Sequence, residues 1–190
     1  MPAINILSLC SGSQDILWVG SDGQGIIGIY DDGIAFNKVP NSRLFDARSC
    51  PVRSFYRDAG GNLYVGTKGN GICMLRPDGT RGAAYDVSRG LSNNFVYSLA
   101  EGYDGDMFIG HDGAGLDVLS FSTGRISTVK PAEGARFGSV YAILRDSENG
   151  CLWLGTNGYG LIRLQLRPFG GQYVVQSRRY TSTIRRTIRR

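Results

Sequence analysis

The chain has 190 residues, with 21 lysines and arginines against 16 acids and one histidine, for a formal charge of +5. That length sustains a single core, no apolar run is long enough for a membrane helix, and the four cysteines show no CxxC spacing. With 28 glycines and 11% aromatics the composition suits many short strands and tight turns, and no convincing 3.6-residue period argues for helices, so helix content is expected near zero.

The first predicted element is an inner strand, Ile4 to Leu9. Met1-Pro2-Ala3 enters it without the basic start or apolar core of a signal peptide, so the expectation is a fragment or an unusual cytosolic form. Next comes Leu17-Trp18-Val19-Gly20-Ser21-Asp22-Gly23-Gln24-Gly25-Ile26. This phrase returns as Leu63-Tyr64-Val65-Gly66-Thr67-Lys68-Gly69-Asn70-Gly71-Ile72. It returns again as Met107-Phe108-Ile109-Gly110-His111-Asp112-Gly113-Ala114-Gly115-Leu116, and finally as Leu152-Trp153-Leu154-Gly155-Thr156-Asn157-Gly158-Tyr159-Gly160-Leu161. The spacings are 46, 44 and 45 residues, a fixed period that marks a repeat architecture.

Each repeat reads as four strands. In the third, Phe95-Val96-Tyr97-Ser98-Leu99 alternates as a half-buried strand does. Tyr103-Asp104-Gly105-Asp106 makes a turn. Met107-Phe108-Ile109 is the apolar run of a strand sandwiched between sheets, and Gly110 to Gly115 reverses the chain. Leu116-Asp117-Val118-Leu119 and Arg125-Ile126-Ser127-Thr128-Val129 complete the unit. The paired glycines of the reversal fit a hairpin that needs positive φ. Gly20, Gly66, Gly110 and Gly155 stand where a neighbouring sheet would pack closely. The fold is therefore expected to be all-β, a β-propeller of four-stranded antiparallel blades. Residues 1–180 form four blades, about 3–46, 47–91, 92–136 and 137–180, and 181–190 form a basic tail read as a frayed, solvated terminus.

The segment Asp146 to Leu161, with Leu152-Trp153-Leu154-Gly155-Thr156 and Gly160-Leu161, and the segment Asp58 to Ile72 resemble the two-component regulator propeller repeat. So does Gly90-Leu91-Ser92-Asn93-Asn94 before Val96. The resemblance covers about residues 3–180. It implies the extracytoplasmic sensor of a hybrid two-component system, of a kind found chiefly in gut Bacteroidetes, where such systems regulate polysaccharide-utilisation genes. The implied function is a non-catalytic sensing module in the periplasm, with an oligosaccharide as its ligand. Relatives carry two seven-bladed propellers and signalling domains; four blades alone depart from that plan.

Catalytic and metal chemistry finds little support. Gly23-Gln24-Gly25-Ile26-Ile27-Gly28 matches GxGxxG but runs into a strand, whereas a dinucleotide site needs a helix there. His111 fills the position of Ser21, Thr67 and Thr156, and is read as a variant of a structural slot without catalytic or metal role. Asp104-Gly105-Asp106 and Asp31-Asp32-Gly33 lack the calcium-loop pattern and read as turns. Trp18, Tyr64, Phe108 and Trp153 share one repeat position and read as core between blades. No catalytic residue, metal ligand or cofactor is expected. Loop residues that differ among blades, Asn41 to Phe45, Arg89 and Phe137, are guesses for ligand contact, and the ligand site stays unassigned. Cys10, Cys50, Cys73 and Cys151 read as small buried hydrophobes, with a disulfide open if the compartment is oxidising.

Residues 167–190 hold seven arginines and no acid; taking those seven from +5 leaves −2 for the remainder. Arg-Arg-Thr-Ile-Arg-Arg lacks interleaved aromatics, so nucleic acid is not an expected partner, nor is insertion into a membrane. Four blades are few for a closed ring, so self-association or further blades are expected to cover exposed blade faces. Two alternatives remain. One is a propeller lyase resembling streptogramin lyase, against which the lone His111 argues. The other is a protein-interaction scaffold.

Overall fold

The computed structural model describes residues 4–12, 15–31, 36–38, 50–103, 105–131, 136–169 and 172–180. The tail 181–190, Asn41 to Phe45, Asp104 and the Asp32-Gly33 pair lie outside them. The described residues form four sheets of four strands, each an antiparallel meander. Blade 1 comprises β1 (Ile6–Ser11), β2 (Ile16–Ser21), β3 (Ile26–Asp31) and β4 (Phe36–Lys38). Blade 2 comprises β5 (Val52–Arg57), β6 (Leu63–Thr67), β7 (Ile72–Leu75) and β8 (Arg81–Tyr85). Blade 3 comprises β9 (Val96–Glu101), β10 (Met107–His111), β11 (Leu116–Ser120) and β12 (Arg125–Thr128). Blade 4 comprises β13 (Ser139–Asp146), β14 (Cys151–Asn157), β15 (Gly160–Phe169) and β16 (Gln172–Tyr180).

The hairpins between second and third strands follow the glycine argument. Gly113 and Gly115 sit at φ 70° and 81°, and the paired glycines of the other three blades are likewise positive. The repeat's aspartate organises the preceding turn. Asp58 accepts from Asn62 N at 2.8 Å and Asn62 Nδ2 at 2.9 Å, and Asp146 accepts from the backbone and side chain of Asn149 in the same way. Those hydrogen bonds from Asn149 hold the Asp146 carboxyl below its ordinary pKa. Among the described residues one element departs from the all-strand expectation, a 3-10 turn at Val87–Arg89. Asp86 caps it by accepting from Ser88 N and Oγ, and Gly90 ends it at φ 104°. Three residues are too few for a helical period to register.

The blades stack face to face through three apolar seams. Ile26 of blade 1 meets Val52, Leu63, Val65 and Leu75 of blade 2. Tyr64 and Ile72 of blade 2 meet Val96, Met107, Ile109 and Leu119 of blade 3. Phe108, Leu116 and Val118 of blade 3 meet Val140, Leu152, Leu154 and Leu164 of blade 4. Successive side chains of a strand point to opposite faces, so the second strands of the two middle blades, β6 and β10, each serve two seams; this is why Met107-Phe108-Ile109 carries no polar residue and is fully buried. The inner strands pack in sequence, β1 beside β5, β5 beside β9 and β9 beside β13.

The seam glycines have a specific reason. A Cβ at Gly20 would lie 2.7 Å from Val52 Cγ1, one at Gly66 2.9 Å from Val96 Cγ1, and one at Gly110 2.7 Å from the Val140 carbonyl oxygen. Each glycine admits the first-strand valine of the next blade. At Gly155 the nearest atom is Ala142 Cβ in its own blade, at 3.4 Å, because among the described residues no fifth blade follows.

The arc is open. Val52, Val96 and Val140 are wholly buried, but their counterpart Ile6 is 50% exposed, with Leu9 and Leu17 beside it. At the other end Leu161 is 39% and Leu144 65% exposed, whereas Ile72 and Leu116, which match Leu161, are buried. The chain is a partial β-propeller with an uncovered apolar face at each end.

Candidate functional site at the bulged inner rim

Every inner strand carries the same irregularity. Pairing with the second strand slips between Ile6 and Ser8, Val52 and Ser54, Val96 and Ser98, and Val140 and Ala142. One residue per blade is thereby left out of register: Leu7, Arg53, Tyr97 and Tyr141. Such bulges re-aim a side chain away from the regular faces of the sheet. The flanking residues stay in the seams, where Ser8 Oγ donates to Val52 O and Ser98 Oγ to Val140 O, both at 3.1 Å.

The bulged residues of blades 2, 3 and 4 touch from blade to blade. The Arg53 guanidinium lies 4.9 Å from the Tyr97 ring centroid, a cation–π contact. Tyr97 meets Tyr141 edge to face at 4.8 Å. Hairpin residues support them. Tyr97 Oη donates to Asp112 Oδ2 at 3.1 Å, Ser139 Oγ donates to Asp112 Oδ1 at 2.6 Å, and Asn157 Nδ2 donates to Tyr141 Oη at 3.5 Å. Burial, with the Asp112 carboxylate after it, raises the Tyr97 pKa, so the phenol stays protonated as a donor. Tyr141 ends the ladder with 47% of its surface exposed. A half-exposed ring set among hydrogen-bonding groups can stack on an apolar face and bond its polar edge.

His111 behaves as a structural slot only in its backbone. Its N–H donates to Gly115 O at 3.0 Å, as Ser21 does to Gly25 and Thr67 to Gly71. The side chain does something that Ser21, Thr67 and Thr156 do not. Their hydroxyls donate to the carbonyls of Gly25, Gly71 and Gly160. Wholly buried, His111 Nε2 instead meets Asp117 Oδ2 at 2.8 Å. Asp117 also accepts from Ser92 N at 2.8 Å and Ser92 Oγ at 2.7 Å. Burial opposes the Asp117 charge, but the bonds from His111 and Ser92 outweigh it and hold its pKa below the usual range. Serine, aspartate and histidine are present, but in an order that activates nothing. Ser92 gives its proton to the aspartate and does not meet the imidazole, whereas a nucleophile needs a base at its own oxygen. The exchange was visible in the sequence: Asp117 stands where the other copies have Ile27, Cys73 and Ile162.

The other candidates fall as follows. The GxGxxG pattern runs into β3. Asp106 accepts from Tyr173 Oη at 2.8 Å, and among the described residues no three His, Cys, Asp or Glu side chains converge as a metal site. Tyr64 and Phe108 fill seams, Trp18 packs against the first seam, and Trp153 lies on blade 4 with Arg163 5.9 Å from its ring. Phe137 is buried, 4% exposed in the third seam. Arg89 is on the surface, bonded to Ala84 O. All four cysteines are free thiols, three of them buried.

The model of the two-component regulator propeller matches residues 90–113 and 134–158. No curated protein matches the chain significantly in sequence. Among solved structures, the extracellular domain of a hybrid two-component system from B. thetaiotaomicron is 25% identical over 91% of this chain and 23% of its own, with a TM-score of 0.71. The extracellular domain of a one-component system from the same organism is 22% identical over 93% and 24%, with a TM-score of 0.66. Hydrazine synthase of Kuenenia stuttgartiensis shares the fold alone, at 10% identity over 95% and 50%, with a TM-score of 0.66. The chain spans about a quarter of the length of the two extracellular domains. The recurring phrase and the four equivalent sheets thus go with direct matches to the two-component regulator propeller repeat in the third and fourth blades, over residues 90–113 and 134–158.

Proposed function

We propose that this arc is a non-catalytic binding module of the periplasmic sensor of a hybrid two-component regulator, and that it responds to an oligosaccharide. The observation that carries the reading is the likeness to the B. thetaiotaomicron extracellular domain across nine-tenths of the chain. The rim agrees with it: Tyr141 offers an exposed ring bonded to Asn157, and Asp112 and Arg53 offer an acceptor and a donor around the neighbouring Tyr97. His111, the sole histidine, is committed to Asp117 and sealed from solvent, which weighs against a lyase. The open end faces, Ile6 with Leu17 and Leu144 with Leu161, fit further blades or a second copy. Signalling would follow if ligand favoured one arrangement of the blades that flank the rim, a shift limited by its differential affinity for the two states.

The test is thermal unfolding and calorimetric titration of the chain, and of the longest protein that contains it, against neutral and acidic oligosaccharides. Saturable binding with a rise in melting temperature is expected, weakened by Tyr141→Ala. A panel with no binder at millimolar sugar would sink the sensor-of-glycan reading.

A further inference from the structure

Two positions recur in each blade at the hairpin end of the inner strand, the bulged residue and the hairpin residue two after the seam glycine. Blade 1 has Leu7 and Asp22, blade 3 has Tyr97 and Asp112, and blade 4 has Tyr141 and Asn157. In blades 3 and 4 the two are hydrogen-bonded to each other. Blade 2 has Arg53 and Lys68. Both are cations, so they cannot pair with each other, and among the described residues neither meets a carboxylate. Their positions are nonetheless fixed. Arg53 is held on the Tyr97 ring. Lys68 N donates to Pro51 O at 2.9 Å, and its backbone bridges to Phe95 at the lead-in to β9. Both cations thus stand at the hairpin end of the seam between blades 2 and 3. Phe95, 38% exposed, is beside them, and the Arg53–Tyr97–Tyr141 ladder leads away along the rim. The nearest acid on the ladder, Asp112, is occupied by Tyr97 Oη and Ser139 Oγ.

We propose that Arg53 and Lys68 form an anion-binding subsite on this rim, so that the oligosaccharide recognised is an acidic one, with a carboxylate or sulfate on the ring seated at blade 2. This rests on the glycan reading above. The Arg53 guanidinium, 4.9 Å from the Tyr97 ring centroid, can offer N–H groups to a planar or tetrahedral oxyanion. Lys68 supplies a second charge without a fixed geometry, and Tyr141 and Phe95 offer apolar faces to the sugar ring itself. Two cations at these positions, neither meeting a carboxylate among the described residues, leave an unmatched positive charge on the rim that blades 1, 3 and 4 do not have.

Calorimetric titration of the chain with tri-galacturonate, its fully methyl-esterified form and inorganic sulfate separates the outcomes. The acid trimer is expected to bind with an affinity that falls as salt is raised, and the ester at least about tenfold more weakly, as for loss of one charge-assisted hydrogen bond. Arg53→Gln is expected to give a similar loss. Lys68→Gln, at an exposed position that touches no seam, checks that the loss is not misfolding. Equal binding of acid and ester, or wild-type affinity in both variants, would overturn the subsite. Binding of sulfate as tight as the trimer would mean an anion hole with no sugar specificity, and would overturn it too. A neutral saccharide that binds while the acid does not would leave the glycan reading standing and refute this one; silence from every saccharide would remove both.

Discussion

The seam glycines give the sharpest quantitative test of the open arc. Gly110→Ala would place a methyl group 2.7 Å from the Val140 carbonyl oxygen and 2.9 Å from Val140 Cγ1, with Ser98 Oγ closer still. Unstrained contacts between such atoms lie near 3.5–4.0 Å. The obstruction is backbone as well as side chain, so β13 must retreat from β10 by several tenths of an ångström along a seam that holds Phe108, Leu152 and Leu154. Overpacking of this kind costs about 1–3 kcal/mol. Gly155→Ala meets only Ala142 Cβ at 3.4 Å, an ordinary contact, and Gly155 is not held at positive φ. Its cost should be near zero, or slightly favourable through the unfolded chain. Urea unfolding followed by fluorescence of Trp18 and Trp153 compares the two. With a slope of about 2 kcal/mol/M, a loss of 2 kcal/mol lowers the midpoint by about 1 M. The pair should differ by that order at micromolar protein. Equal sensitivity at high dilution would mean that something covers the blade 4 face within the chain, and the reasoning would fail. Sensitivity of Gly155→Ala that appears only at high concentration would instead report a second copy seated there.

Four further outcomes are expected. Ser98→Ala should destabilise by about 1 kcal/mol through its lost bond to Val140 O, whereas Ser54→Ala should be neutral or better, because Ser54 Oγ is buried without a partner; paired urea titrations decide this. Asp117→Asn should flatten the acid limb of the stability curve. The folded Asp117 pKa is depressed, so its contribution is present above the unfolded value and is lost as pH falls through the folded one; an unchanged acid limb would contradict that. In the same network His111→Thr with Asp117→Ile, the residues of blades 2 and 4 at the first position and of blades 1 and 4 at the second, should be no less stable at pH 7 than wild type, although Asp117→Ala alone costs roughly 1–3 kcal/mol for each group it orphans. Finally, Leu144→Asp with Leu161→Asp should reduce the solution mass measured by light scattering without lowering the unfolding midpoint of dilute protein, since neither side chain is in a seam.

The fold was legible because every blade meets its neighbours in the same way. The apolar triplet of each second strand, the glycine after it and the hairpin glycines recur because the same seam recurs, and repetition turned weak local signals into one strong one. The bulge was not legible. It is a fact about pairing between strands, and a strand pattern read alone records only alternation. A trace existed: Ile6, Val52, Val96 and Val140 are nearly constant, as are Ser8, Ser54 and Ser98, and the residue between them changes from Leu to Arg to Tyr. The His111 network shows the opposite limit. The slot reading correctly gave the backbone role but missed the side chain, whose partner Asp117 lies across the hairpin and whose second neighbour Ser92 comes from the loop before the blade. Difference among blades does not imply exposure: Phe137 is buried and fills space against Gly115, where a Cβ would stand 3.4 Å from its ring.

Constancy and variation along the repeat therefore carry different information. Residues in the seams are bound to two blades at once, so a change there costs kilocalories and the copies agree. A bulged residue is excused from both faces of its sheet, so it can change from Leu7 to Arg53 to Tyr97 without disturbing the stack. Placing two cations at Arg53 and Lys68 on a partly solvated rim is tolerated because water and salt screen exposed charges. The same pair inside a seam, as an uncompensated buried charge, would unfold the blade. Specificity in such an arc can thus be changed blade by blade at the bulge and hairpin positions. These positions, more than the repeated aromatic at Trp18, Tyr64, Phe108 and Trp153, are where ligand recognition should be sought.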